Sequence, residues 1–232
     1  MAAHPAPTIV FDLDGTLVDT ALDLVNTLNA ILASEDMPPV GFDTAVSLVG
    51  SGARVLIQSA FAVNGRALTP EKLETLFRAF IAHYTDHIVD HSRTYPGVEA
   101  SLDRFAAEGW ILAVCTNKSE APAKKLLSLL DLDRRFAAIT GADTFGFRKP
   151  DPRHLTETIR RAGGDPAAAV MVGDSATDVD TALAAGIPVV AVTFGFSPRP
   201  VAELGAHRLI NHYDRLYDAA VELVGVPAGA RM

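Results

Sequence analysis

The sequence predicts an α/β protein: a parallel β-sheet with crossover helices, carrying an all-helical insertion directly after its first strand. Three observations predict it. From Gly97 onward, short apolar runs alternate with amphipathic helical stretches, which is how a parallel sheet and its crossovers read in sequence. Between residues 19 and 91 the chain shows helical spacing and no strand pattern. The opening apolar run, Thr8 to Phe11, passes straight into two aspartates, Asp12 and Asp14, as a strand does at the rim of such a sheet.

The elements follow in order. After the first strand, Leu22, Val25, Leu28 and Leu32 recur at helical spacing between Asp19 and Glu35, and Met37-Pro38-Pro39 stops that helix. A second helical stretch surrounds Ala53 to Phe61. Thr69-Pro70 reads as an N-cap with proline at the first helical position, opening a helix with Leu73, Leu76, Phe77, Phe80, Ile81, Tyr84 and Ile88 along one broad face. Tyr95-Pro96-Gly97 is a turn. Beyond it come a helix from Val98 to Glu108, the strand WILAVC, a helix from Pro122 to Leu130, the short strand AAIT and a helix from Pro152 to Ala162. The strand VMVG, a helix over Asp178 to Ala185, the strand IPVVAV, the strand RLI and a helix from Leu216 to Val224 complete the chain. The architecture expected is an α/β core of residues 1–18 and 92–232 and a helical insertion over 19–91.

Composition narrows the function. With 49% hydrophobic residues, the 232-residue chain can bury a sizeable core without staples. A formal charge of −8 and the lack of any basic run make nucleic acid a poor partner, because phosphate backbones are bound by basic surface. No apolar run is long enough to span a bilayer, and MAAHPAPT has neither the basic nor the apolar region of a leader. The single cysteine, Cys115, precludes an intrachain disulfide and suits a reducing compartment. The expectation is a soluble cytoplasmic protein with no membrane or nucleic-acid partner, as monomer or homodimer.

In open α/β sheets, ligands bind beyond the carboxyl ends of the strands. Asp12, Asp14 and Thr16 follow the first strand, and Thr116 and Asn117 follow WILAVC. Arg148 and Lys149 lie in the loop after AAIT, and Asp174, Ser175 and Asp178 follow VMVG. In a strand Asp12 and Asp14 would share one face, where like charges repel. Several carboxylates converging on one rim make the oxygen-rich pocket that Mg²⁺ prefers, and a cation explains their tolerance. Lys149, with the Thr116 hydroxyl and nearby backbone N–H groups, would oppose the metal across a phosphoryl group. One carboxylate could then attack phosphorus while a second moves the proton. Taken singly, each motif has a plainer reading: an Asp-Gly turn for Asp12 and Asp14, and a helix cap for Asp174 and Asp178.

DLDGT, TN, RKP and GDSATD, in this order, resemble the haloacid dehalogenase superfamily over nearly the whole chain, and the insertion resembles that superfamily's small α-helical cap on a Rossmann-like core. LVGSGARVLI, YPGV, VCTNKS, RKPDP and VGDSATDVDTALAAG are similar to the phosphoglycolate phosphatases within it. The resemblance implies a Mg²⁺-dependent phosphomonoester hydrolase working through an aspartyl phosphate on a small phosphorylated metabolite, with 2-phosphoglycolate favoured. It implies Asp12 as nucleophile and metal ligand, and Asp14 as acid/base with its backbone carbonyl on the metal. Thr16 would position Asp14, and Asp174 and Asp178 would complete the metal set, Asp178 through water. Thr116 and Asn117 would hold the phosphoryl oxygens beside Lys149. In the cap loop VGSGAR, Gly50, Ser51 and Arg54 would meet the leaving group, Arg54 pairing with a substrate carboxylate, although two glycines around a serine also read as a simple connector. Broad-specificity phosphatases, pyrophosphatases and sugar phosphomutases share these motifs; Thr16, which the mutases tend to replace with an aliphatic residue, favours hydrolysis. A phospho-accepting signalling receiver uses a similar set but needs no cap and no acid beside its acceptor. His83, His87 and His91 stand at i, i+4 and i+8 without a completing ligand pattern, and Cys115 reads as a small core residue rather than a nucleophile.

Overall fold

The computed structural model describes residues 6–50 and 52–225. Strand β1 (Thr8–Phe11) leads through a loop into a two-residue strand, β2 (Val18–Asp19). Four helices follow: α1 (Ala21–Ala33), α2 (Phe42–Val46), α3 (Ala53–Val63) and α4 (Pro70–Asp86). The chain returns through β3 (Arg93–Thr94), which pairs antiparallel with β2. Then come α5 (Val98–Ala107), β4 (Ile111–Cys115), α6 (Glu120–Leu129), β5 (Ala138–Thr140) and α7 (Pro152–Arg161). Strand β6 (Ala169–Gly173), α8 (Ala176–Ala184), β7 (Val189–Val192), β8 (Arg208–Ile210) and α9 (Leu216–Val224) close the fold.

Six strands form one parallel sheet in the order β5-β4-β1-β6-β7-β8. The near-continuous apolar strands follow from burial on both faces. Alternate residues of β1 serve opposite layers: Ile9 and Phe11 pack with the layer holding α5, α6 and α9, whereas Val10 packs with Leu155 and Ile159 of α7 and Val179 of α8. Cys115 lies in the second layer, fully buried, and burial pushes its thiol pKa up to about 12, so it is a core residue and not a nucleophile. Because β1 is central and its neighbours are β4 and β6, the strand order reverses at β1 and opens a crevice beyond its carboxyl end.

The helical insertion packs around Leu28, Ile57, Phe61, Phe80 and Tyr84 among others, in one apolar cluster with Ile9, Phe11 and the first layer of the core. Thr69 caps α4 as expected, its hydroxyl accepting from the Lys72 N–H at 3.2 Å. The buried stripe of α1 is Leu24, Val25, Leu28, Ile31 and Leu32, while Leu22, expected on it, is 42% exposed. Helix α6 begins two residues before Pro122, which the first turn tolerates because its N–H groups have no intrahelical partner. The five-residue α2 and the two-residue β2 and β3 were not expected, being too short to display a period. The three histidines do not form a helical row: α4 ends at Asp86, His83 meets Thr27 and His87 meets Asp90.

Candidate active site

Five loops at the carboxyl ends of the strands converge. Asp12 is placed by its own backbone, whose N–H continues the β1–β6 ladder to the Val172 carbonyl at 2.9 Å. Thr116 is placed in the same way, bonding the Thr140 carbonyl at 3.0 Å. The strand period does not govern Asp14: β1 ends at Phe11, and a turn brings Asp14 to an isolated bridge with Val18. The hydroxyl of Tyr213 donates to the Thr16 carbonyl at 2.8 Å, securing that turn from beneath.

Asp12, Asp174 and Asp178 are buried and each offers a carboxylate oxygen, these oxygens lying within 4.8 Å of one another. The Lys149 ammonium, 1% exposed, is 2.9 Å from Asp12 Oδ1 and 2.6 Å from Asp178 Oδ1. Burial works against its charge, but Asp12 and Asp178 outweigh that and hold its pKa above the ordinary lysine value. Burial raises the pKa of Asp12 to about 6, against the pull of Lys149. Burial also raises that of Asp174, reinforced by Asp178 and Asp12. One ammonium among three carboxylates leaves uncompensated negative charge.

Asp174 sits in a tight collar. Its Oδ1 accepts from Thr16 Oγ1 at 3.1 Å and its Oδ2 from the Phe196 N–H at 2.7 Å. A Cβ on Gly15 would come within 2.5 Å of Asp174 Oδ2, and one on Gly195 within 2.2 Å of Asp174 Cβ, so both close approaches require glycine. The role expected for Thr16 is therefore corrected: its hydroxyl serves Asp174, and Asp14 is held instead by Thr20 Oγ1 at 2.7 Å and Lys118 Nζ at 2.7 and 2.9 Å. Asp178 caps the next helix, the plainer of the two roles weighed for it, and pairs with Lys149 as well. One oxygen accepts from the Ser175 N–H and hydroxyl at the start of α8, and the other faces Lys149. Asn117 Nδ2 donates to the Lys149 carbonyl at 3.1 Å, tying the second and third loops together.

The donor set fits a hard divalent cation. Asp12 Oδ1 is buried and, despite its nearness to Lys149, receives no well-directed hydrogen bond, while all three groups are carboxylates. Among the described residues no other such cluster of His, Cys, Asp and Glu occurs.

Above this floor lies a cavity of about 60 Å³ walled by both the core and the insertion. Asp12, Asp14, Thr116, Asn117 and Lys118 face Gly50, Gly52 and Arg54 from the cap loop and Phe77, Phe80 and Tyr84 from α4. Of the three cap-loop residues singled out in the sequence, Gly50 and Arg54 line this cavity, and Ser51 lies outside the described residues. Arg54 is already engaged: Nε and Nη2 donate to the Glu74 carboxylate at 3.0–3.3 Å, and its guanidinium lies 3.5 Å over the Phe77 ring, which leaves Nη1 as its one uncommitted nitrogen among the described residues.

Lys118 was missed in the sequence although it follows Thr116 and Asn117. Its side chain is 6% exposed, it pairs with both oxygens of Asp14, and its ammonium lies 4.5 Å over the ring of Tyr84. Burial opposes its charge, and Asp14 and then Tyr84 overcome that and raise its pKa. The available signal was a lysine three residues past a strand end at the switch point.

A parallel sheet that reverses at β1, with an aspartate trio, a buried lysine and a helical insertion over the crevice, defines a class. The family model for haloacid dehalogenase-like hydrolases matches residues 9–192, and the chain belongs to that family. It is 54% identical over 210 residues to a phosphoglycolate phosphatase of Mesorhizobium japonicum, covering 90% of this chain and 92% of that one. A phosphoglycolate phosphatase of Agrobacterium fabrum is 46% identical, with 96% of each chain covered. A crystal structure described as a predicted phosphoglycolate phosphatase from Haemophilus somnus superposes with a TM-score of 0.85 at 29% identity, covering 92% of this chain and 97% of that one. Among the described residues no helix is long and apolar enough to cross a membrane.

Proposed function

We propose that the protein is a Mg²⁺-dependent phosphomonoesterase whose substrate is 2-phosphoglycolate, acting through a phosphoryl group carried on Asp12. The observation that carries the reading is the buried Asp12–Lys149 pair on the floor of a small cavity roofed by the insertion. The named relatives at 54% and 46% identity support the same substrate. The lone buried cysteine agrees with residence in the cytoplasm.

Asp12, Asp174 and the backbone carbonyl of Asp14 would hold the cation, with Asp178 behind them. When bound, the cation supplies charge neutralisation to the phosphoryl oxygens and to the crowded carboxylates. The Asp12 carboxylate forms a bond to phosphorus as the ester P–O bond breaks. Asp14 delivers a proton to the departing alkoxide, and glycolate leaves. Asp14, now a base, takes a proton from water as the water oxygen attacks phosphorus, returning phosphate and free Asp12. Lys149 and the Thr116 hydroxyl hold the phosphoryl oxygens throughout and strengthen their grip as charge accumulates on them. Residues 19–91 act as a cap, and the core as residues 1–18 with 92–232; closure of one on the other excludes bulk water from the phosphorylated aspartate.

The test is kcat/KM for 2-phosphoglycolate beside sugar phosphates, pyrophosphate and an aryl phosphate, with Asp12→Asn as blank. A preference of about a hundredfold or more, roughly 2.7 kcal/mol, is expected. Equal rates across the panel would discard the substrate, and no turnover above the blank would discard the enzyme.

A further inference from the structure

Two arginines line the cavity, and their surroundings separate them. Arg54 lines the cavity, but Glu74 takes its Nε and Nη2 and Phe77 covers its face. Arg148 lines the same cavity in a different condition. It immediately precedes Lys149, so the backbone that carries the buried ammonium also carries this guanidinium to the cavity wall. Among the described residues no carboxylate pairs with it. Its Nη1 lies beside Gly52, where an added Cβ would stand 3.8 Å away, so it reaches the seam between the core and the cap loop. On the core side of that seam, the same Cβ would meet the Asn117 carbonyl at 3.2 Å.

A phosphoglycolate anion has two charged ends. The phosphoryl end has Lys149 and Thr116, whereas the carboxylate end must meet a cation within the two-carbon reach of the molecule. Lys118, the remaining cation on the wall, is occupied by both oxygens of Asp14. We propose that Arg148 recognises the substrate carboxylate and sets specificity for acidic phosphate monoesters, Arg54 serving instead to brace the cap through Glu74. This rests on the substrate reading above. A planar guanidinium matches a carboxylate in a two-pronged hydrogen bond, and removing one such charge-assisted contact lowers binding by about ten- to a hundredfold.

The experiment compares 2-phosphoglycolate with 2-hydroxyethyl phosphate, which keeps the size and loses the carboxylate, in the wild type, Arg148→Met, Arg148→Lys and Arg54→Met. The expected result is a preference for 2-phosphoglycolate in the wild type that falls about ten- to a hundredfold in Arg148→Met, through KM, with the rate on 2-hydroxyethyl phosphate retained. Arg148→Lys should restore part of it, and Arg54→Met should keep it. Arg148 is exposed, so the variant should fold, and an unchanged melting temperature checks that. If the wild type prefers 2-phosphoglycolate and Arg148→Met keeps the preference, or loses both substrates equally, Arg148 is not the recognition residue. A wild type indifferent to the carboxylate overturns the substrate reading and this inference with it.

Discussion

At the scale of single residues, the site is a problem in charge. Asp12 has its pKa raised to about 6, from a value near 4 in an unfolded chain. A carboxylate raised in this way binds its proton more tightly when folded, so its contribution to stability is present at pH 4 and is lost as pH rises through about 6. A divalent cation needs the ionised form, so its stabilisation should grow over the same interval. Thermal melts at pH 5 and pH 7.5, with Mg²⁺ or with a chelator, should show the larger cation effect at pH 7.5; an equal effect at both would mean that the trio is not the binding site. Lys118 is a second residue-scale case. Lys118→Met leaves Asp14 with Thr20 alone, and kcat for the phosphatase should fall about ten- to a hundredfold with little change in KM, since proton transfer needs a positioned group. Unchanged kcat would reduce the Lys118–Asp14 pair to a structural contact.

Elements decide how these residues meet. Asp12, Thr116 and Asp174 each stand one residue beyond a strand, and at Asp12 and Thr116 a last ladder bond still fixes the backbone while the side chain turns into the crevice. The cap loop and α3 approach from the other side, and Gly52 passes close to the Asn117 backbone. With φ at +90° and the Asn117 carbonyl 3.2 Å from any Cβ, Gly52→Ala meets both backbone strain and a close contact. Its expected effect is a loss of about 1 kcal/mol in the folded, closed arrangement, read as a fivefold or greater drop in kcat/KM with a melting temperature changed by only a few degrees. Wild-type kinetics in Gly52→Ala would show that closure tolerates a wider seam.

For the molecule as a whole, the junction between core and insertion is the feature that the helices and sheet do not themselves explain. Two chain crossings, β2 and β3, pair over only two residues each, too little to hold an orientation. The buried carboxylate of Asp23, at the start of α1, completes the junction by accepting from the His91 N–H at 3.0 Å, the Ser92 N–H at 2.8 Å and the Ser92 hydroxyl at 2.7 Å. Asp23→Ala strands these donors, and a loss of about 3 kcal/mol in urea unfolding is expected, together with reduced kcat. Asp23→Asn, which keeps one acceptor oxygen, should recover part of both. Stability equal to the wild type in Asp23→Ala would mean that water reaches the junction freely.

By itself the sequence determined the class of fold and pointed to the residues that the structure gathers on the crevice floor. Strand and helix periods are local: Asp12, Thr116 and Asp174 sit at the ends of apolar runs that announce themselves within a few residues, and Lys149 and Asp178 lie in the segments that follow such runs. It also supplied the cap loop, through Gly50 and Arg54. Only the tertiary structure decided the pairings. Thr16 turned to Asp174, 158 residues away, and Asp14 to Lys118, 104 residues away, because which hydroxyl or ammonium satisfies a buried carboxylate depends on the distance between loops and not on their order in the chain. Arg54 was claimed by Glu74 from a neighbouring helix while Arg148 was left facing the cavity, a choice between two like cations that no local spacing records. The two-residue hinge strands were invisible for a related reason: a period needs repeats, and their pairing exists only because the insertion begins and ends at the same place on the core.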